Sequence, residues 1–363
     1  MKSVIKDQFL VSPFLVLFLI HGMQYGVGVL SFQRDIAKVA GHDAWISILI
    51  TGILVHIIIW MMYSMLNKTK GDLITIHQQT FGKWIGNLLS LLFILYVLAE
   101  STTVLRSYIE IVQVWMFPLL KTWPFALVLL LSVYYVVSSG FRIVTGVCFL
   151  AVVLPSYLIF TYVVPIEFST FRNLLPVFDH SILEMAQSIK GSILSFSGFE
   201  YLLFYYPFIK QPESSQKWAH FGNLVTTLLY LLIMIVTLAF FDQAYLQKVI
   251  WPTLMMWKII ELPFVERFEI IGVTSWAVVM LPIICLMFWS ASRGIKEIFK
   301  LKQRSVLVFL LLLSFIVCCL LIDRETIQQY NTFVAEIGFY LLLGYIPFLF
   351  ICCHIRFKMR EKG

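Results

Sequence analysis

The sequence predicts an all-α integral membrane protein: ten transmembrane helices in two five-helix halves of opposite orientation, with the first and sixth helices discontinuous. Three observations predict it. The 363 residues are 60% hydrophobic and only 13% charged, where a soluble domain carries about one quarter charged residues. The apolar runs recur at near-span length, and a hydrocarbon layer of about 30 Å needs about 20 residues. Small and polar residues interrupt two of these runs, the first and the sixth, at comparable depth. An odd number of spans in each half inverts one half relative to the other.

The runs are Phe9–Ser31, Ala44–Leu66, Trp84–Phe117, Trp123–Ser139, Ile143–Val164, Ala186–Ile209, Ala219–Phe241, Ile270–Ser292, Ser305–Ile322 and Phe333–Ile355. The first follows lysines, as a signal peptide would, but continues to Leu30 without a small-x-small cleavage site. It reads as a retained span. The third is long enough to tilt or project. Trp45, Trp84, Trp115 and Trp123 suit interfacial positions. The repeats cover about 9–164 and 186–355 of one domain, 1–363. The segment Asp242 to Glu269 joins two spans, and Pro252 and Pro263 bracket a short helix within it. Two readings fit that segment, a gate-like extracellular cap and an amphipathic surface helix.

Placing both termini in the cytoplasm puts 17 of the 27 lysines and arginines inside, with Arg106 within a span. That asymmetry satisfies the positive-inside rule. The net charge of +7 then reflects topology and calls for no nucleic-acid partner. The six cysteines lie in apolar runs without metal-site spacing and read as packing residues. Motifs of a metal site, cofactor, nucleotide loop or nucleophile elbow are not among its patterns, so the chain does not read as an enzyme.

Span one contains HGMQYGVGVLSFQR and span six SILSFSGFE. Glycine costs about 1 kcal/mol against alanine inside a helix. Paired interruptions in corresponding spans of inverted halves point to a transporter-type binding site. Unwound backbone is tolerated at that depth only where it lines a cavity. Amide N–H groups near Gly26 and Gly28 suit a carboxylate. Carbonyls near Ser195, Phe196, Ser197 and Gly198 suit an ammonium. A zwitterionic amino acid fits both. The competing reading is close helix packing, since Gly22 and Gly26 have small-xxx-small spacing.

Glu100 and Glu200 sit near the middles of spans three and six. Each is a candidate proton or polar-coupling site, or else a hydrogen-bonding group of the bundle. Arg106 and Glu110, four residues apart on one helix face, are expected to pair. His21 beside the first break reads as packed or hydrogen-bonded. Tyr25, Tyr96 and Phe196 are candidate pocket walls.

The ten-span length, GVGVLSFQR, SFSGFE and PTLMMWKIIELPFVERFE together resemble the B subunits of spore germinant receptors, from Gln8 to about Arg356. The resemblance implies the amino acid–polyamine–organocation superfamily and a LeuT-like fold of inverted five-helix repeats. It also implies the spore inner membrane, A-type and C-type partner subunits, and recognition of a small germinant. By position it places the ligand near Gln24, Tyr25, Gly26 and Gly28, near Tyr96 and Glu100, near Ser195 to Gly198, and against Ile283 and Met287. Family members often carry proline where this chain has Gln33. The leading function is therefore a ligand-sensing receptor subunit. A proton-coupled amino-acid transporter and a purely structural subunit are the rivals.

Overall fold

The computed structural model describes residues 5–263 and 265–362. Lys2 of the basic N-terminus and Phe264 of the ELPFVERFE stretch lie outside the described residues. The chain is built of helices: α1 Val16–Gln24, α2 Phe32–Ala40, α3 Ala44–Thr69, α4 Leu73–Phe81, α5 Lys83–Trp115 and α6 Thr122–Ser138. Then come α7 Phe141–Val153, α8 Val163–Glu167, α9 Ile182–Ser195, α10 Leu202–Tyr205, α11 Gln216–Phe240 and α12 Gln243–Leu246. The last are α13 Pro252–Trp257, α14 Phe268–Phe299, α15 Gln303–Leu320, α16 Arg324–Tyr340 and α17 Ile346–Lys362.

Among the described residues seven helical stretches are long and apolar enough to cross a membrane. They correspond to the second, third, fifth, seventh, eighth, ninth and tenth expected spans. The other three fall short for visible reasons. The fourth, α6, is 17 residues long. The first breaks between α1 and α2, and the sixth between α9 and α10. Span one also runs on past Ser31: its second half, α2, reaches Ala40. Hydropathy missed this because FQRDIAKVA is amphipathic, not uniformly apolar.

Apolar side chains face outward along whole helix stripes. Ile53, Ile57 and Trp60 do so on α3, and Ile85, Leu88, Leu92 and Leu95 on α5. Such stripes are stable against lipid and costly against water. The molecule is an integral membrane protein. At its centre α14 packs against α5, α6, α7 and α15, while α5 also meets α4 and α16. The broken helices cross-pair: α2 lies along α9, and α1 meets the turn Phe199–Tyr201 that opens α10.

Two expectations change. Arg106 does not pair with Glu110. Its Nε donates to the Leu321 carbonyl at 2.8 Å and its Nη2 to that of Ile322 at 3.3 Å. Glu110 instead faces Arg324 at 4.0 Å. The reason is the end of α15: the carbonyls of Leu321, its C-cap, and of Ile322 beyond it have no helical partners and present acceptors to the guanidinium. Nor is Pro252–Trp257 a surface helix. Thr253, Leu254, Met256 and Trp257 are buried, and α13 packs on the turn Val27–Leu30 and on α14.

Candidate binding chamber between the broken helices

The first break runs from Tyr25 through Gly26 into a 3₁₀ turn, Val27–Leu30. A Cβ on Gly26 would lie 3.3 Å from Ile283 Cδ1, so glycine supplies close approach to α14 here. The second break, Phe196 to Gly198, ends at a residue with φ +114. There a Cβ would lie 2.8 Å from the main chain of Met23. Gly198 is therefore required twice, for its dihedral and for contact between the two breaks.

The breaks are tied together by side chains. The Tyr230 hydroxyl lies 2.6 Å from the Gln24 carbonyl and 2.9 Å from that of Ser195. Gln24 Nε2 donates to the Phe196 carbonyl at 3.2 Å and to Asn223 Oδ1 at 3.0 Å. Asn223 in turn donates to the Gly52 carbonyl at 3.0 Å, which fixes its amide and, through it, that of Gln24. The Ser195 and Phe196 carbonyls each already accept one protein donor, which leaves each a single lone pair for a further one.

Around the junction lies a chamber of about 150 Å³. Gln24, Gly26, Gly28, Tyr96, Glu100, Ser195, Ser197, Ile283 and Met287 line it. Three named residues stand outside its lining. Tyr25 faces a separate apolar cavity beside His21, Phe196 is buried edge-on to Tyr230, and Gly198 packs on Met23. His21 is buried and meets the Thr226 hydroxyl at 2.9 Å.

The two carboxyls differ. Glu100 accepts from the Ser197 hydroxyl at 3.0 Å and from the Tyr201 hydroxyl at 2.5 Å, which ties α5 to the second break. Glu200 does not line the chamber. Its Oε2 accepts the Gly198 N–H at 2.7 Å, capping the opening turn of the second half-helix. Its Oε1 is buried without a partner among the described residues.

The chamber has polar groups to spare. The N–H groups of Gly26, Val27 and Gly28 donate to no acceptor among the described residues. Gln24 Oε1, Thr103 Oγ1 and Asn331 Oδ1, from three lining residues, are buried and unpaired. Buried polar atoms in folded proteins are overwhelmingly paired, so such a set marks a place where chemistry is unfinished. Thr103 and Asn331 escaped the sequence reading. Asn331 lies in the polar stretch RETIQQYNT, just before the tenth apolar run, and only the upward extension of α16 brings it to chamber depth. Tyr230, one of 16 tyrosines, carried no signal.

A family model described as spore germination protein matches residues 10–327. The chain belongs to the spore germination protein family. Its relatives extend the match over nearly the whole length. A spore germination protein GerQB of Bacillus cereus is 47% identical over 98% of this chain and 99% of its own. Spore germination protein YndE of Bacillus subtilis (strain 168) is 26% identical over 93% of each chain. Spore germination protein B2 of the same strain is 27% identical over 92% of each. The family member described here is accordingly a germinant receptor subunit of the B type. Gln33, where the resemblance implies a proline, is the second residue of α2, in the first turn, whose N–H groups have no intrahelical partner, so proline there would cost no helical hydrogen bond. What glutamine adds is a side chain: Nε2 donates to the Thr253 hydroxyl at 2.7 Å, and that hydroxyl meets the Val29 carbonyl at 2.9 Å.

Proposed function

We propose that this chain is the ligand-recognising subunit of a spore germinant receptor. In this reading it crosses the spore inner membrane ten times, in two inverted repeats of the LeuT type at about 9–164 and 186–355, with both termini cytoplasmic. It binds a small germinant at mid-membrane and signals to A-type and C-type subunits. The segment 242–269 acts as the outer gate. The cross-pairing of α2 with α9 and of α1 with Phe199–Tyr201 supports the inverted arrangement.

One observation carries the ligand class. Three consecutive free N–H groups at Gly26–Gly28 and three unpaired side-chain oxygens belong to one chamber. Consecutive main-chain N–H groups form an anion nest, and the oxygens accept from an ammonium. An amino acid presents both ends. The chamber is the size of one that holds benzene, so alanine or serine fits and larger germinants require its walls to move. Ile283 and Met287 supply the apolar side.

The test is binding of a panel of L-amino acids and nucleosides to the purified chain in nanodiscs, by thermal shift and calorimetry. Small amino acids are expected to bind, and Gly26→Trp with Ser197→Trp to abolish binding with the protein still in the membrane. Nucleoside binding without amino-acid binding would overturn the ligand class. Unchanged binding in the double variant would overturn the site and favour a purely structural subunit.

The second reading, a proton-coupled amino-acid transporter, is favoured by Glu100 and Glu200, two carboxyls bonded to the same break. Uncoupler-sensitive uptake into liposomes without partner subunits distinguishes it.

A further inference from the structure

A cavity larger than the chamber lies apart from it, where two helix hairpins turn back side by side. One is the α6–α7 turn at Ser139–Gly140, and the other is the α14–α15 turn at Lys300–Lys302. The cleft between them measures about 560 Å³, and Lys296, Lys300, Lys302 and Arg304 line it. One carboxylate stands near, Glu297, and it is already engaged by Arg293 at 2.7 Å and Lys300 at 3.5 Å. Among the described residues Lys296, Lys302 and Arg304 have no carboxylate partner.

The rest of the lining says what kind of anion fits. Gly140 and Lys302 are the N-cap residues of α7 and α15, and neither helix has a side-chain cap. Their free N–H ends add to the positive field. Ser305 adds a hydroxyl to the lining, while Ser138 and Gln303, also in it, already donate to the Tyr135 carbonyl and the Ser292 hydroxyl. Val137, Leu301 and Leu307 line the cleft as well, and Leu301 is exposed. Beyond them the exposed Val308, Phe309 and Leu312 continue an apolar track along α15. A free phosphate or an acidic peptide would use the charges and leave that track uncovered. A molecule with a phosphate head and acyl chains uses both. Basic pockets between spanning helices at the membrane boundary bind such head groups.

We propose that this cleft is a binding site for an anionic phospholipid, with the phosphate among Lys296, Lys302 and Arg304 and the acyl chains along α15. The site is independent of the germinant chamber and of the function assigned to it.

Native mass spectrometry of the full chain, exchanged from nanodiscs containing phosphatidylcholine with or without cardiolipin, tests the proposal. The wild type is expected to retain cardiolipin. The triple variant Lys296→Gln, Lys302→Gln, Arg304→Gln is expected to bind it at least about tenfold more weakly. Lys68→Gln with Lys70→Gln, which removes two exposed basic residues elsewhere, is expected to bind as the wild type does. Should the triple variant be lost from the membrane, the exposed single change Lys302→Gln carries the test, with about a threefold loss expected. Equal losses in the triple variant and the control would reduce the effect to diffuse surface charge and overturn the proposal. So would displacement of the lipid by millimolar inorganic phosphate or by a soluble acidic peptide.

Discussion

Glu100 holds two hydroxyls from the second broken helix, Ser197 and Tyr201, so its role separates into charge and shape. Glu100→Gln keeps the shape and exchanges an acceptor for an amide donor. Under the proposed function it is expected to raise the germinant concentration for half-maximal germination roughly tenfold, the scale of one charged hydrogen bond, with the protein level in spore membranes unchanged. An unshifted dose curve would deny Glu100 a part in recognition. Gly198→Ala makes a different prediction. It meets both an unfavourable φ and the Met23 main chain, so it is expected to cost more than about 1 kcal/mol of stability, read as a lower melting temperature in nanodiscs. At this scale the sequence was informative wherever chemistry was rare. A glycine or a glutamate in a run of leucine and phenylalanine stands out, and nine of the named residues line one chamber. Tyr25, Phe196 and Gly198 do not, because spacing along a chain cannot say which way an unwound backbone turns. Tyr230, Thr103 and Asn331 were invisible for the opposite reason: nothing in composition separates them from their many equivalents.

The elements of the site are held in register by a few side chains, and those are where its mechanics can be probed. Tyr230 on α11 reaches a carbonyl of each broken helix, yet a phenol has one proton to give. It shares that proton between the helices, so removing it leaves buried carbonyls short in both. Tyr230→Phe is expected to destabilise by about 1–3 kcal/mol and to slow the response to germinant, because the relative placement of α1 and α9 loses its link. A germination rate matching the wild type would show that the two breaks are positioned by packing alone. Farther out, Asp43 before α3 binds the segment that precedes α9. Its carboxylate accepts from the N–H groups of Phe178, Asp179 and His180 at 2.7, 2.9 and 3.3 Å. Burial acts to raise the Asp43 carboxyl, but the hydrogen bonds from Phe178, His180 and Asp179 outweigh it and hold the group below its ordinary range. A depressed folded-state value stabilises above the unfolded value near 3.9; the contribution is lost as pH falls through the folded value. The wild-type melting temperature is therefore expected to be insensitive to this group above about pH 5 and to fall below about pH 4. Asp43→Asn is expected to melt lower at neutral pH and to lack that acid-side loss. Parallel pH profiles for the two proteins would remove Asp43 from the account. Hydropathy placed neither link, since it reads runs along the chain and not which runs meet: Tyr230 joins Gln24 to Ser195, and Asp43 reaches residues 178–180.

For the molecule as a whole, the sensing and transporting readings share one chamber and differ in whether it opens alternately to the two sides. Two features of the structure bear on this. The breaks are cross-linked through Tyr230, Gln24 and Asn223, and α13 is buried over the first break, held there by Gln33 through Thr253. If the segment 242–269 is the outer gate proposed above, a transporter would have to release α13 in every cycle; a receptor would need only to convert occupancy into a shift that its partner subunits detect. Gln33→Pro keeps α2 compatible with its position while deleting the contact to Thr253. If the chain is a sensor, the variant is expected to change germinant sensitivity severalfold, about 1 kcal/mol for a buried hydrogen bond, while liposomes holding the chain alone take up no labelled alanine with either residue. Uptake driven by a proton gradient, faster in Gln33→Pro than in the wild type, would identify a working gate and move the protein to the transporter class. The proposed chamber is compatible with either outcome, since under that proposal the free N–H groups of Gly26–Gly28 would serve a carboxylate equally well whether it is sensed or carried.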